Sequence, residues 1–207
     1  MKEYKLPIGC DVPETIILAD GDFPSHPLAL EWLRQCPYVV CCDGAANTYI
    51  RSGRMPEAIV GDGDSLLPDI KERYASLIHS EAEQETNDLS KAFRFCLSQE
   101  RKRITIMGAT GKREDHTIGN VSLLADYMEQ AEVSMMTDYG IFVPIREDSM
   151  FESYIGQQIS VFNMNSTALS AEGLAYPLSV FTNWWQGTLN EALARHFIIR
   201  TEGKVLV

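Results

Sequence analysis

Through residue 138, short continuous apolar runs alternate with segments of helical spacing, and this alternation constrains the fold more than any single motif. Residues 15–19, 38–42, 58–60, 77–79, 104–107 and 133–136 are apolar without a polar alternation and read as strands. Between them, Leu89, Ala92, Phe93, Cys96 and Leu97 recur at i, i+3, i+4, i+7 and i+8, and Ile118, Val121, Ala125 and Met128 share one helical face. Unbroken apolar strands separated by helices predict a mainly parallel sheet covered on both faces. Ligands of such sheets bind outside the carboxyl ends of the strands.

Acidic residues gather at those ends. Asp20 and Asp22 follow the first run, Asp43-Gly44 the second, and Asp62 and Asp64 the third. An acidic loop ending in Thr86-Asn87-Asp88 follows the fourth, Gly108-Ala109-Thr110-Gly111 and then Asp115 the fifth, and Asp138 the last. One acidic rim is therefore expected. Two carboxylates one residue apart, as in Gly61-Asp62-Gly63-Asp64-Ser65, suit a hard cation such as Mg2+, which is usually held by one or two carboxylates and substrate phosphates. Asp-Gly is also an ordinary turn dipeptide, so the recurrence, not the turn itself, carries the expectation.

The pattern changes near Tyr139-Gly140. Beyond it lie short β-like pieces at 141–143, 158–162, 178–181, 196–200 and 204–207, separated by Gly, Pro, Asn and Ser. Residues 188–195 read as a helix or a hairpin arm. Strands at this spacing suggest a small antiparallel sandwich or barrel. The sequence thus divides into 1–138 and 139–207.

With 207 residues the chain can bury a substantial core, and a net charge of −11 argues against a basic footprint for nucleic acid. No apolar run approaches membrane-spanning length and the N-terminus lacks an apolar signal region, so a cytoplasmic protein without membrane partners is expected. The five cysteines have no Cys-x-x-Cys spacing, so neither zinc nor disulfides are expected.

Gly108-Ala109-Thr110-Gly111-Lys112-Arg113 is neither a P-loop nor Gly-x-Gly-x-x-Gly. A glycine-bearing turn after a buried strand still offers backbone N–H groups to phosphate, and Lys112 and Arg113 add charge, Arg113 as a bidentate clamp or both as a solvated basic turn. Asp115-His116-Thr117 directly precedes the helical run from Ile118, so Asp115 or Thr117 is an alternative N-cap and His116 an alternative structural histidine. Asn120 lies one turn further on and can face the same rim. Asp88 suits both a helix dipole and a ligand, and Asp43 through Asn47 opens a third helix. Trp184 and Trp185 read either as sandwich core or as stacking faces for a cationic ring.

Taken in order, these segments resemble the thiamine pyrophosphokinase (thiamine diphosphokinase) family. Asp43-Gly44-Ala45-Ala46-Asn47 is similar to its Asp-Gly-Ala-Ala-Asn segment, Gly61 through Ser65 to its Gly-Asp-Phe-Asp-Ser turn, and Glu85 through Leu89 to its Thr-Asp-Leu region. Gly108 through His116 resembles its Gly-x-x-Gly-Gly-Arg-x-Asp-His block, and Gly173 through Leu178 and Gly187 through Glu191 resemble its β-domain segments. The resemblance implies a Rossmann-like α/β domain, a C-terminal antiparallel β-sandwich and a homodimer with shared active sites. It implies diphosphoryl transfer from ATP to thiamine, giving AMP and thiamine diphosphate, with Mg2+. On that basis Asp62, Asp64 and Asp88 hold the metal, and Arg113 stabilises phosphate charge. Asp43, Asn47, Lys112, His116 and Asn120 serve the nucleotide. Asp88 or Asp115 takes the hydroxyl proton, and Trp184 or Trp185 with Thr188 and Asn190 receives thiamine. The chain departs from the pattern at Gly63, where an aromatic is usual, at Lys112, where glycine is usual, and at Leu189, where serine is usual. A binding protein without turnover, or a transferase acting on another alcohol, are the competing readings.

Overall fold

The computed structural model describes residues 1–7, 11–81, 83 and 85–207; Cys10 lies outside them. The chain forms two compact units, one of Gly9–Ile141 and the other of Met1–Ile8 with Phe142–Val207. The first strand, β1 (Lys2–Tyr4), belongs to the second unit.

The first unit runs β2 (Thr15–Leu18), α1 (Pro27–Gln35), β3 (Val39–Cys42), α2 (Ala45–Arg51), β4 (Ala58–Gly61), α3 (Pro68–Arg73), β5 (Ile78–Ser80), α4 (Asp88–Ser98), β6 (Arg103–Met107), α5 (Glu114–Tyr127), β7 (Glu132–Met136) and β8 (Ile141–Phe142). These strands make one seven-stranded sheet in the order β5-β4-β3-β2-β6-β7-β8, and the pairs from β5 to β7 are parallel. Every residue of β2, β3 and β4 is buried, which is why their sequences show no alternation. The order turns back between β2 and β6, so the loops after these two strands flank the topological switch point.

The helices start where local chemistry permits. Asn87 caps α4, its side chain accepting from Ser90 N at 2.9 Å, and Asp88 sits in the first turn against the positive end of the dipole. Its buried face holds Leu89, Ala92, Phe93 and Cys96 as expected, together with Ser90 and Lys91. Helix α5 starts at Glu114, so Asp115, His116 and Thr117 are its first turn and not a segment before it. Acidic Glu114 and Asp115 favour that polar start, which an apolar stripe cannot reveal. The buried face of α5 is also rotated from the expected one: Asn120, Leu124, Ala125 and Tyr127 are buried and Ile118 is exposed. No helix among the described residues is long and apolar enough to cross a membrane. Cys36, Cys41, Cys42 and Cys96 are free thiols.

The second unit adds β9 (Pro144–Ile145), β10 (Ser149–Glu152), β11 (Gln158–Ile159), β12 (Phe162–Asn163), β13 (Leu169–Glu172), β14 (Asn190–Glu191), β15 (His196–Thr201) and β16 (Val205–Leu206). They form sheets β1-β10-β15-β13, β11-β14 and β12-β16-β9, antiparallel except for β1 against β10. Phe151, Val161, Phe197, Ile199 and Val205 lie in one shared apolar core.

Three expectations are corrected here. Residues 178–181 form no strand: Pro177 lacks the donor for a ladder, and of 178–181 only Leu178 is buried. Residues 188–195 form no helix; a short 3-10 turn at Trp184–Gly187 precedes β14. The division at 1–138 fails at the N-terminus, because β1 pairs in parallel with β10, Tyr4 opposite Phe151. Strands β10 and β13 escaped the sequence reading because their buried positions are taken partly by Ser149 and by residues poor in β-branching.

Candidate active site

The acidic loops of the parallel sheet converge at its switch-point rim. Asp43 is 4% exposed, in the left-handed region at φ 32. Its Oδ2 accepts from Ser65 N at 3.0 Å, whereas its buried Oδ1 has no hydrogen-bond partner. A Cβ on Gly61 would lie 2.8 Å from Asp43 Cβ and 3.4 Å from Asp88 Cγ; one on Gly44 would lie 2.7 Å from Asp20 Oδ2. Glycine at these two places is what lets three carboxylates close in on the backbone. Burial pushes the Asp43 carboxyl above its ordinary pKa; the Ser65 bond opposes this, and the charges of Asp88 and Asp62 reinforce it.

Around this centre most polar side chains already have work. Lys91, a buried ammonium, donates to Asp88 Oδ1 at 3.0 Å. Burial alone would lower the Lys91 pKa, but the Asp88 bond and the charges of Asp88, Asp62 and Glu83 outweigh it and hold it up. Asp62 Oδ1 accepts from Asp64 N at 3.1 Å, and Lys71 Nζ donates to Gly63 O at 2.9 Å, so the Asp-Gly-Asp turn carries a cation beside Gly63.

Asn47 braces the adjoining loop, donating to Ser65 O at 2.8 Å and accepting from Leu67 N at 3.0 Å. Asn120 does the same between Ala109 O (2.8 Å) and Asn87 Nδ2 (3.1 Å). Both amides, expected from sequence to contact the nucleotide, brace loop backbone or a neighbouring side chain through one bond at each polar atom. Arg113 pairs with Asp115 at 2.5 Å, both 64% exposed, and this guanidinium holds the Asp115 carboxyl below its usual range. His116 is exposed, its N–H donating to Asp115 Oδ1 at 3.0 Å. Lys112 donates to Asp20.

In the β unit, Trp184 and Trp185 are exposed, so the core reading of this pair does not hold; Trp184 meets Phe162 edge-on at 5.9 Å. Thr188 Oγ1 donates to Trp185 O, and buried Asn190 exchanges hydrogen bonds with the backbone of Tyr176. Leu189 is 77% exposed at φ 63.

Two family models match in order. Residues 29–136 match the thiamin pyrophosphokinase catalytic domain, and residues 140–207 the thiamin pyrophosphokinase substrate-binding domain. The chain belongs to the thiamin pyrophosphokinase family. It is 30% identical over 129 residues to thiamine pyrophosphokinase 1 of Oryza sativa subsp. japonica, covering 50% of this chain and 49% of that protein. It is 34% identical over 86 residues to thiamine pyrophosphokinase of Bacillus subtilis, with 40% of each covered. The aligned region thus spans about half the length of the curated relatives or less. Its fold is shared with thiamin pyrophosphokinase from Candida albicans (TM-score 0.80, 18% identity, 99% of this chain and 91% of that one) and with that from Bacillus subtilis (0.77, 20%, 93% and 96%).

For this thiamin pyrophosphokinase family member, a hard cation fits the rim on one structural ground: a buried carboxylate oxygen of Asp43 has no partner and is flanked by Asp62 and Asp88. Among the described residues, however, no group of three or more His, Cys, Asp or Glu side chains is arranged as a metal cluster. The Asp62, Asp64 and Asp88 set is not preassembled; Asp88 holds Lys91 instead. Sequence reasoning placed Asp20 on the acidic rim without a specific task and assigned no role to Lys91. Lys91 falls on the side of the helix away from the Leu89, Ala92, Phe93 and Cys96 stripe, so periodicity gives no sign of its burial, whereas Asp20 is legible as an acid at a strand end.

Proposed function

We propose that the chain is a thiamine diphosphokinase, transferring the diphosphoryl group of ATP to the hydroxyl of thiamine. The ordered match to both catalytic and substrate-binding family models carries this reading. The carboxylate rim at the switch point of a parallel sheet supports it. In this reading the first unit is a Rossmann-like catalytic domain and the second a β-sandwich that receives thiamine, in a cytoplasmic homodimer with shared sites. Exposed Trp184 and Trp185 offer stacking faces for the thiamine cation, with Thr188 and Asn190 shaping the adjoining backbone.

The hydroxyl oxygen attacks the β-phosphorus, the bond from that phosphorus to the α–β bridging oxygen breaks, and AMP leaves with the bridging oxygen. Positioning and charge stabilisation dominate such a transfer. Mg2+, when bound by Asp62, Asp64 and Asp88 beside Asp43, supplies neutralisation of phosphate charge. Lys91 keeps Asp88 oriented, Arg113 meets the phosphate side, Lys112 secures the loop before it through Asp20, and Asn47, Asn120 and His116 hold the loops around the nucleotide. Asp88 or Asp115 takes the hydroxyl proton as it attacks.

The test is product analysis. Purified protein with thiamine, ATP and Mg2+ is expected to give AMP and thiamine diphosphate in equal amounts on chromatography. ADP in place of AMP, or ligand binding without product, would sink this reading.

A further inference from the structure

We infer that Lys112 and Asp20 form a strap across the switch point, a positioning pair that fixes the nucleotide-facing loops through each other and not through a direct lysine–phosphate contact. The inference rests on the function proposed above for its catalytic readout, but its structural basis is independent.

The loops after β2 and β6 diverge from adjacent strands and need something to hold them together. Their backbones are joined by Ala19 N to Met107 O (2.8 Å), Gly21 N to Gly108 O (2.6 Å) and Asp22 N to Thr110 O (2.9 Å). Their contact leaves no spare room. A Cβ on Gly21 would run into the Thr110 and Gly108 carbonyls, and one on Gly111 into the Asp22 carboxylate. Lys112 closes this arrangement, donating to Asp20 O at 3.0 Å and to Asp20 Oδ1 at 3.1 Å. Its ammonium thus grips both the backbone and the carboxylate of one residue. The other oxygen, Asp20 Oδ2, lies against Gly44, which carries the strap to the loop after β3.

Lys112 adopts φ 57, a left-handed conformation that glycine takes freely and lysine does not. Glycine is also the residue that the family pattern has here. A strained residue that persists points to a role for its side chain. Global stability is not that role, since the pair is 52% and 48% exposed and such ion pairs add little. What the pair does is local: it fixes the loop that leads into Arg113 and α5.

The experiment compares Lys112→Gly, Asp20→Ala, the double variant and the charge exchange Asp20→Lys/Lys112→Asp. Aspartate tolerates the left-handed region better than most residues. Read-outs are ATP KM against kcat, and amide hydrogen exchange over residues 19–22 and 108–113. Each single variant is expected to raise the ATP KM about threefold to fivefold, the scale of one exposed ion pair, with a smaller change in kcat. The double should be no worse than either, the exchange should recover part of the loss, and the Gly21 and Asp22 amides should exchange faster. If Lys112→Gly weakens ATP while Asp20→Ala does not, the lysine touches phosphate directly and the strap is wrong. Unchanged amide exchange in both singles also overturns it. Should the wild type make no thiamine diphosphate, the proposed function falls, while the exchange data still decide the strap.

Discussion

Asp43 combines three unfavourable features: a left-handed backbone, a buried carboxylate oxygen without a partner, and two further carboxylates nearby. Such features persist at sites where they serve function. Replacing Asp43 by Asn keeps an acceptor for Ser65 N and removes the charge. In chelator at pH 7, Asp43→Asn should therefore gain roughly 1 kcal/mol of stability, the usual size of such relief, while turnover collapses. The pH dependence follows in sign. The folded pKa lies above the unfolded one, so the wild type is relatively stabilised below the unfolded value and loses that stabilisation as pH rises through the folded value. The variant should lack this loss. Thermal midpoints measured across acidic to neutral pH check it, and a less stable variant at pH 7 would make Asp43 structural. At this scale the acidic rim was readable, because strand ends in a parallel sheet must converge. The tasks of Asn47, Asn120 and Asn190 were not. An amide donates and accepts equally well toward a ligand or a loop, and only the backbone around it decides which.

Helix α1 shows how a distant residue sets an element's entry. Asp138, just after β7, accepts from Ser25 N, Ser25 Oγ and His26 N, with the two backbone bonds at 2.9 Å in their shorter forms. His26 in turn caps α1 through Leu28 N, and Pro27 fixes the first turn. Burial pushes the Asp138 carboxyl up, but the Ser25 and His26 bonds prevail and hold it below its ordinary pKa. Asp138→Ala should cost about 1–2 kcal/mol, as loss of a cap does, read in urea unfolding of the full chain. The wild-type advantage should be complete above the unfolded pKa and fade as pH falls through the lowered folded value. Equal stability of wild type and variant at pH 7 would show the contact to be incidental. Helix α4 was legible because periodicity and its cap coincide at Asn87 and Asp88. The start of α5 was not, since its first turn is polar and its buried face includes Asn120.

At the scale of the whole chain, β1 opens the β unit, Gly9–Ile141 forms the α/β unit, and the chain then returns to complete the first. No pattern in Lys2-Glu3-Tyr4 announces this. Its evidence is tertiary: Tyr4 stacks on Phe151 at 4.8 Å, and Phe151 on Phe197 at 4.9 Å, a ladder across β1, β10 and β15. A fragment of residues 139–207 would keep β10 but lose its parallel partner, leaving one edge open and the Phe151 ring unstacked. Small units have little stability to spare, and even a half-buried aromatic such as Tyr4 is worth about 1–2 kcal/mol. The fragment is therefore expected to lack a cooperative thermal transition. The same fragment preceded by residues 1–7 on a flexible linker is expected to show one, and Tyr4→Ala in that fusion should remove most of the gain. Circular dichroism melts of the three proteins decide the matter. A cooperative melt of 139–207 alone would reduce β1 to an appendage, whereas recovery only with Tyr4 in place makes the chain's opening residues part of the core that its closing residues build.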